Sequence, residues 1–238
     1  MSEWKAKRFW ENATTVAECE GYGIQLDGRA VHTPARARLI VPTLPLAQEI
    51  AAEWDAQGEK IDPDSMPFTK AANAAIDKVA IQKAEVADLL AAYGDSDLLC
   101  YRADGPDGLV ARQNDAWDPL LDWAADVLGA RLHTRTGVVH VPQDSDVILR
   151  LSEQVHALSN FELAAFHDLV SLSGSLVLAF AILHGLRPAE ELWKTSRIDE
   201  IWQIEQWGED AEANELEKVK CQSFMNAERF YALLARKT

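Results

Sequence analysis

Basic side chains are scarce in this chain. Lys and Arg number 23 against 38 Asp and Glu, a formal net charge of −15 over 238 residues. Nucleic acids and anionic membranes are bound by neutralising phosphates with Lys and Arg, so this balance argues against both. Cysteine is scarcer still: Cys19, Cys100 and Cys221 are odd in number, far apart and without C-x-x-C spacing. That pattern indicates neither a disulfide framework nor a thiolate metal centre, and it fits a reducing compartment. No Walker-type loop and no G-x-G-x-x-G run offers backbone amides to a phosphate, and the six histidines lack metal-binding spacing. The longest apolar run, Leu169 to Leu183, falls short of the about 18 residues a spanning helix needs and is interrupted by Ser171, Ser173, Gly174 and Ser175, so it is expected to be a buried core helix. The opening Met1-Ser-Glu-Trp-Lys-Ala-Lys-Arg8 has neither an apolar signal core nor an Arg/Ser-rich leader, which points to the cytoplasm.

What is present describes a folded protein. Hydrophobic residues make up 48%, charged residues 26%, and there are eight tryptophans, enough apolar mass for an ordered core. The pattern predicts an α+β fold: a small β-rich N-terminal domain over residues 1–82 with one or two helices, then a larger all-helical, orthogonal bundle-like domain over 83–238. Ile24-Gln-Leu26, Asp27-Gly28 and Arg29 to Thr33 read as a hairpin about a two-residue turn, with Arg38 to Pro42 as a further strand. Pro45 heads a helix through Gln57, and a loop follows to Pro67. Helices are then expected over Ala71–Lys78, Glu85–Tyr93, Leu109–Leu128 with an interruption at Pro119, Ser145–Leu158, Asn160–Leu183, Ala189–Trp207 and Asp210–Arg236, with Val138–Pro142 as an extended link.

The acidity is uneven. Residues 1–60 carry 7 basic and 9 acidic side chains and residues 61–238 carry 16 and 29; from Pro188 to Glu217 there are 10 acids against 2 bases. Within that stretch, Asp199 to Asp210 holds two tryptophans and five carboxylates. Read as one helix from Trp193 to Gly208, it places Trp193, Ile198, Ile201, Trp202, Ile204 and Trp207 on one arc, with Asp199, Gln203 and Gln206 opposite. Glu200 falls inside the apolar arc. It is either an exposed ion pair with Arg197, three residues earlier, or a charge left for a partner among aromatic anchors.

Other constellations have structural explanations. Gly174-Ser175 lacks the G-x-S-x-G elbow and fits close packing of a core helix. His167 and Asp168 are adjacent and do not share a helix face. Asp95-Ser-Asp97 starts like a calcium loop but lacks its glycine and distal Glu, which leaves an N-cap or tight turn after Gly94. A carboxylate site assembled from Asp97, Asp115 and Asp118, with Tyr93 or Tyr101, stays open as an alternative, as does a constitutive subunit of a larger complex.

Several segments together resemble the ATP synthase assembly chaperones that act on the alpha subunit of the F-type catalytic head. They are Lys7-Arg-Phe9, Leu26-Asp-Gly-Arg29 with His32-Thr-Pro34, Ala51-Ala-Glu-Trp-Asp-Ala-Gln57, Ser65-Met-Pro-Phe-Thr69, Asp97-Leu-Leu-Cys-Tyr-Arg102, Gln113-Asn-Asp-Ala-Trp-Asp-Pro119, Gly174-Ser175, and Asp199-Glu-Ile-Trp-Gln with Trp207-Gly. The resemblance implies no catalytic activity, cofactor or metal, and transient, ATP-independent binding of the unassembled alpha subunit by a protein that is monomeric when free. Eukaryotic members act in mitochondria, so a chain without a leader resembles a bacterial, cytoplasmic member. The partner-binding positions it implies are Trp193, Glu200, Gln203, Trp207, Gly208, Glu209 and Asp210.

Overall fold

A computed structural model describes residues 7–137 and 139–235. The start of the chain, Val138 of the expected link and Arg236 of the last helix lie outside the described residues.

The first unit is built on a twisted hairpin. Strands β1 (Ala13–Glu18) and β2 (Gly21–Leu26) pair antiparallel over six residues, and β3 (Arg29–Ala30) and β4 (Ile40–Val41) pair with the other edge of β2. Asp27 and Gly28 join β2 to β3 with φ of 47° and 80°, the two left-handed residues of a type I′ turn, as the Asp-Gly pair predicts. Helix α1 (Leu44–Asp55) begins at Thr43, whose hydroxyl accepts from the Leu46 amide, and carries Pro45 in its first turn. Its Leu46, Ala47, Ile50 and Ala51 bury against Ile24, Leu26, Leu39 and Val41 of the sheet region. Helix α2 (Pro67–Ala74) starts before the expected Ala71, and Ala75–Val79 winds as a π turn.

This unit is not one continuous stretch. Besides residues up to Lys83 it takes Ser159–Ala165 and residues from Arg229 onward, whereas a single cut at 82 assigns both segments to the other domain. The reason is in the core: Ala165, Phe230 and Leu233 are buried with the residues of α1 and β2, and the Thr43 hydroxyl donates to the Leu233 carbonyl at 2.8 Å.

The second unit is mostly helical: α3 (Lys83–Ala91) from Ala84 on, α4 (Asp107–Val127), α5 (Ser145–Ala157), most of α6 (Asn160–Ser173), α7 (Leu176–Leu183), α8 (Ala189–Ser196), α9 (Ile198–Trp207) and α10 (Ala211–Ala235) as far as Glu228. It is not all-helical, because β5 (Tyr101–Arg102) and β6 (Arg135–Thr136) form a short parallel pair. Pro119 does not interrupt α4. A proline nitrogen forfeits one helical hydrogen bond, but Trp117, Leu120, Leu121 and Ala124 are buried on the same helix, and the Trp117 indole donates to the Thr195 carbonyl at 2.9 Å.

Two expected helices are each broken in two. Asn160–Leu183 divides at Gly174, whose φ of +74° ends α6, and the Ser175 hydroxyl then caps α7 by accepting from Leu178 N. Close packing does not explain that glycine, since a Cβ there would meet only Leu98 at 3.8 Å. Ala189–Trp207 divides at Arg197, with φ −108° and ψ 18°.

Candidate functional site

The break at Arg197 undoes the single helical wheel. Trp193, on α8, is only 5% exposed; it packs on Phe224 with ring centroids 5.0 Å apart and lies under the Arg197 guanidinium at 4.9 Å. It is therefore a core residue and not part of an exposed contact face. Arg197 also donates to the Leu172 and Ser173 carbonyls at the end of α6, at 3.2 and 3.3 Å, and to Glu200 at 3.0 Å. That last contact is the i,i+3 ion pair, with Glu200 half exposed.

On α9 the faces sort differently from the expectation. Asp199 accepts from the Gln113 amide of α4 at 2.6 Å and is half-buried, so it faces the protein. Trp202 lies beside Gly108, where a Cβ would come within 2.8 Å of the indole, and under the Arg112 guanidinium at 5.0 Å. Arg112 donates to both oxygens of Glu205, which holds that carboxyl below its ordinary pKa and raises that of the guanidinium. With one face of α9 fastened to α4 this way, Glu200, Gln203, Ile204 and Trp207 recur at i, i+3, i+4 and i+7 and all are exposed. Gln203, expected opposite Glu200, shares its stripe.

The stripe ends on an open aromatic. Trp207 is 79% exposed, and Gly208 closes the helix with φ +89° and an amide N–H that donates to the Ile204 carbonyl at 2.8 Å. Glu209 and Asp210 begin the next helix: Asp210 accepts from Ala213 N at 2.9 Å as its cap, and Glu209 accepts from the Asn214 side chain at 3.0 Å. Both remain exposed. Beside the stripe a groove of about 220 Å³ runs between α9 and α10, lined by Glu200, Ile201 and Ile204 on one wall and Ala213, Leu216 and Glu217 on the other. Leu216 is 55% exposed, so the groove is apolar along Ile201, Ile204 and Leu216, with a margin of mixed charge from Glu200, Glu217, Arg197 and Lys220. Nothing in the sequence pattern pointed to Leu216, because it required knowing that α10 folds back beside α9.

The scattered acids do not form a common site. Asp97 is fully buried: it accepts from Leu99 N at 3.0 Å as a cap, from the Ser175 hydroxyl at 2.8 and 3.0 Å and from Val177 N at 3.0 Å, and burial raises its pKa. It joins the Asp97 and Gly174-Ser175 segments as one structural joint. Asp118 pairs with Arg102 at 2.8 Å, Asp115 is exposed, and Tyr101 meets His140 at 3.3 Å. Asp95 accepts from Gln143 N and pairs with His140. His167 and Asp168 do touch, Nδ1 to Oδ1 at 2.9 Å, because neighbouring side chains on one helix edge can bend toward each other. Cys100 is buried and its thiol is pushed up to about 12, which leaves it no thiolate for chemistry. Among the described residues no group of three or more His, Cys, Asp or Glu is placed to hold a metal, and no helix is long and apolar enough to cross a membrane.

Comparison with known proteins agrees on one family. The model described as ATP12 chaperone protein matches residues 7–125. Protein atp12, mitochondrial, of Schizosaccharomyces pombe is 28% identical over 223 residues, covering 89% of this chain and 77% of that protein. Atp12 of Paracoccus denitrificans, solved both as such and as a point mutant, is 46% identical with a TM-score of 0.94, over 98% of this chain and 100% of that one. The Atu1473 protein of Agrobacterium tumefaciens is 41% identical with a TM-score of 0.92, over 96% of this chain and 86% of its own. The α9 stripe lies beyond the stretch matched by the family model but within the span of these structural likenesses.

Proposed function

As the chain belongs to the ATP12 chaperone family, whose members act in ATP synthase assembly, we propose that it binds the unassembled alpha subunit of the F-type catalytic head. It covers apolar interface on that subunit, prevents its aggregation and gives way when the neighbouring subunit arrives. The observation that carries this reading is the α9 stripe: Glu200 and Gln203 followed by an open Ile204 and Trp207 on the same face, beside a groove with apolar walls. A lone exposed apolar side chain needs no explanation, but an exposed tryptophan in line with an isoleucine and an apolar groove is the composition of an interface centre. The acids around it speed encounter with a basic surface and contribute little to holding it, which suits a complex that must dissociate.

We read the protein as a non-catalytic, cytoplasmic chaperone that is monomeric when free; its family supports the first point and its three free cysteines support a reducing compartment. Of the positions implied by the resemblance, Glu200, Gln203 and Trp207 form the contact, while Gly208, Glu209 and Asp210 set the turn that presents it. The test is co-expression with the alpha subunit alone, followed by size exclusion. A soluble heterodimer that dissociates on addition of the beta subunit is expected, with Glu200→Lys folded but weakened about tenfold in binding. No complex and no protection from aggregation would overturn the client, and undiminished binding by Glu200→Lys would overturn the surface.

A further inference from the structure

Among the described residues, one edge of the sheet of the first unit is unpaired. Strand β1 pairs with β2 along one side only, and the hydrogen bonds of an antiparallel pair alternate, so every second residue of β1 turns its N–H and C=O away from β2. Two contacts fix which residues these are. Asn12 O accepts from Asp27 N, which sets the even-numbered residues toward β2, and Ala13 N donates instead to the Asp55 carboxylate at 2.7 Å. Thr15 and Ala17 therefore present their backbone groups outward, and among the described residues nothing meets them. Lysine, proline and bulges, the usual guards of such an edge, are absent from Ala13–Glu18.

The space alongside is also strand-shaped. Ala13 and Thr15 lie opposite Leu26 and Ile24, so with Ala17 they share the sheet face that packs on α1, yet they are far smaller. Across from them α1 presents Gln48, Ala51, Ala52 and Asp55, and a groove of about 420 Å³ remains between helix and strand. A further strand laid against β1 would satisfy Thr15 and Ala17 and lower alternate side chains into that groove. We propose that β1 takes up an extended segment of a client polypeptide by strand addition. The segment has small or medium apolar side chains on its inward face and a Lys or Arg near Asp55. Charge favours such a client over a second copy of this chain: Glu18 is already paired with Arg38, but the exposed Glu11 and Glu20 flank the strand in sequence and each copy carries a net charge of −15. The proposal deepens the chaperone reading and rests on it for the source of the segment, an unassembled ATP synthase subunit.

Amide hydrogen exchange on the full-length protein, with overlapping peptides covering the catalytic-head subunits as probes, tests this separately from alpha-subunit capture. Thr15 and Ala17 are expected to exchange quickly in the free protein, and one or more peptides should slow both by about tenfold or more. The protection should be lost at Ala17 in Thr15→Pro, which removes an outward donor that a strand edge can spare, and at both residues in Ala52→Leu, which fills the groove and leaves the backbone intact. Protection already present in the free protein would show the edge occupied by the chain itself. Protection that rises with protein concentration and not with peptide would assign it to a second copy. Either result, or no slowing by any peptide, overturns the proposal, even where the alpha subunit is captured through α9.

Discussion

The α1–α2 corner of the first unit and the outer face of α9 both contain segments that carry the family resemblance, and they use their polar groups in opposite ways. At the corner Glu53, Gln57 and Arg8 are spent on the fold itself. The Glu53 carboxylate accepts from Phe68 N, Thr69 N and the Thr69 hydroxyl at 2.6 to 2.7 Å, capping α2, and Gln57 bonds to the Glu53 carbonyl, Ser65 and Asp62 N. Arg8 donates to the carbonyls of Trp10, Glu11, Asp55 and Gln57. On α9, by contrast, Glu200 has a single ion pair, and Gln203 and Trp207 face solvent. A motif residue that is fully engaged inside the fold is explained by folding, whereas one that faces solvent leaves its chemistry available to a partner.

The contrast is sharpest between two tryptophans in neighbouring helices. Trp193→Ala should cost about 4 kcal/mol of stability, the tail of a buried aromatic truncation, seen as a lower urea midpoint with an unchanged slope. Trp207→Ala should leave the midpoint within about 0.5 kcal/mol of the parent. It should instead weaken alpha-subunit binding by about 2 kcal/mol, measured by titration calorimetry. A Trp207→Ala protein that unfolds early, or a Trp193→Ala protein that does not, would break the division between the two regions. Next in size, Glu53→Ala should lose about 3 kcal/mol, because two α2 amides and a hydroxyl are left without their charged acceptor. Once allowance is made for the unfolded fraction, its affinity for the alpha subunit should equal the parent's.

Sequence pattern identified the elements better than their ends. The Asp27-Gly28 turn, the Pro45 helix start and the Asp97 cap each depend on two or three adjacent residues whose backbone preferences are strong, and all three are found. The breaks at Gly174 and Arg197 were hidden because helical periodicity continues across them; at Gly174 the local signal is only a glycine followed by a serine cap, and at Arg197 the turn is held by a distant contact with the last carbonyls of α6. The same break explains the partial reading of the site. Glu200, Gln203 and Trp207 are on one exposed stripe, but carrying the wheel back across Arg197 wrongly added Trp193. Leu216 depends on how α10 folds back beside α9, and the β1 edge on what else, among the described residues, pairs beside the β1–β2 hairpin, neither of which periodicity reports.

The smallest effect separates the two regions by pH. Burial raises the pKa of Glu53, partly offset by its three hydrogen bonds, so the folded protein holds that proton more tightly than the unfolded chain. Its contribution to stability therefore declines as pH rises from the ordinary glutamate value through the raised one. Glu205 on α9 is shifted the other way by the Arg112 hydrogen bonds: its contribution is present above the ordinary value and is lost as pH falls through the lowered one. Replacing each by Gln removes one titration. Between about pH 3 and about pH 7, the stability difference between parent and Glu53→Gln should move against the parent as pH rises, and that between parent and Glu205→Gln should move in its favour. Urea midpoints of the three proteins across that range decide it. Slopes of the same sign would mean that the corner carboxylate is stabilised as an anion more strongly than its burial opposes, and that the two regions differ in exposure but not in electrostatic character.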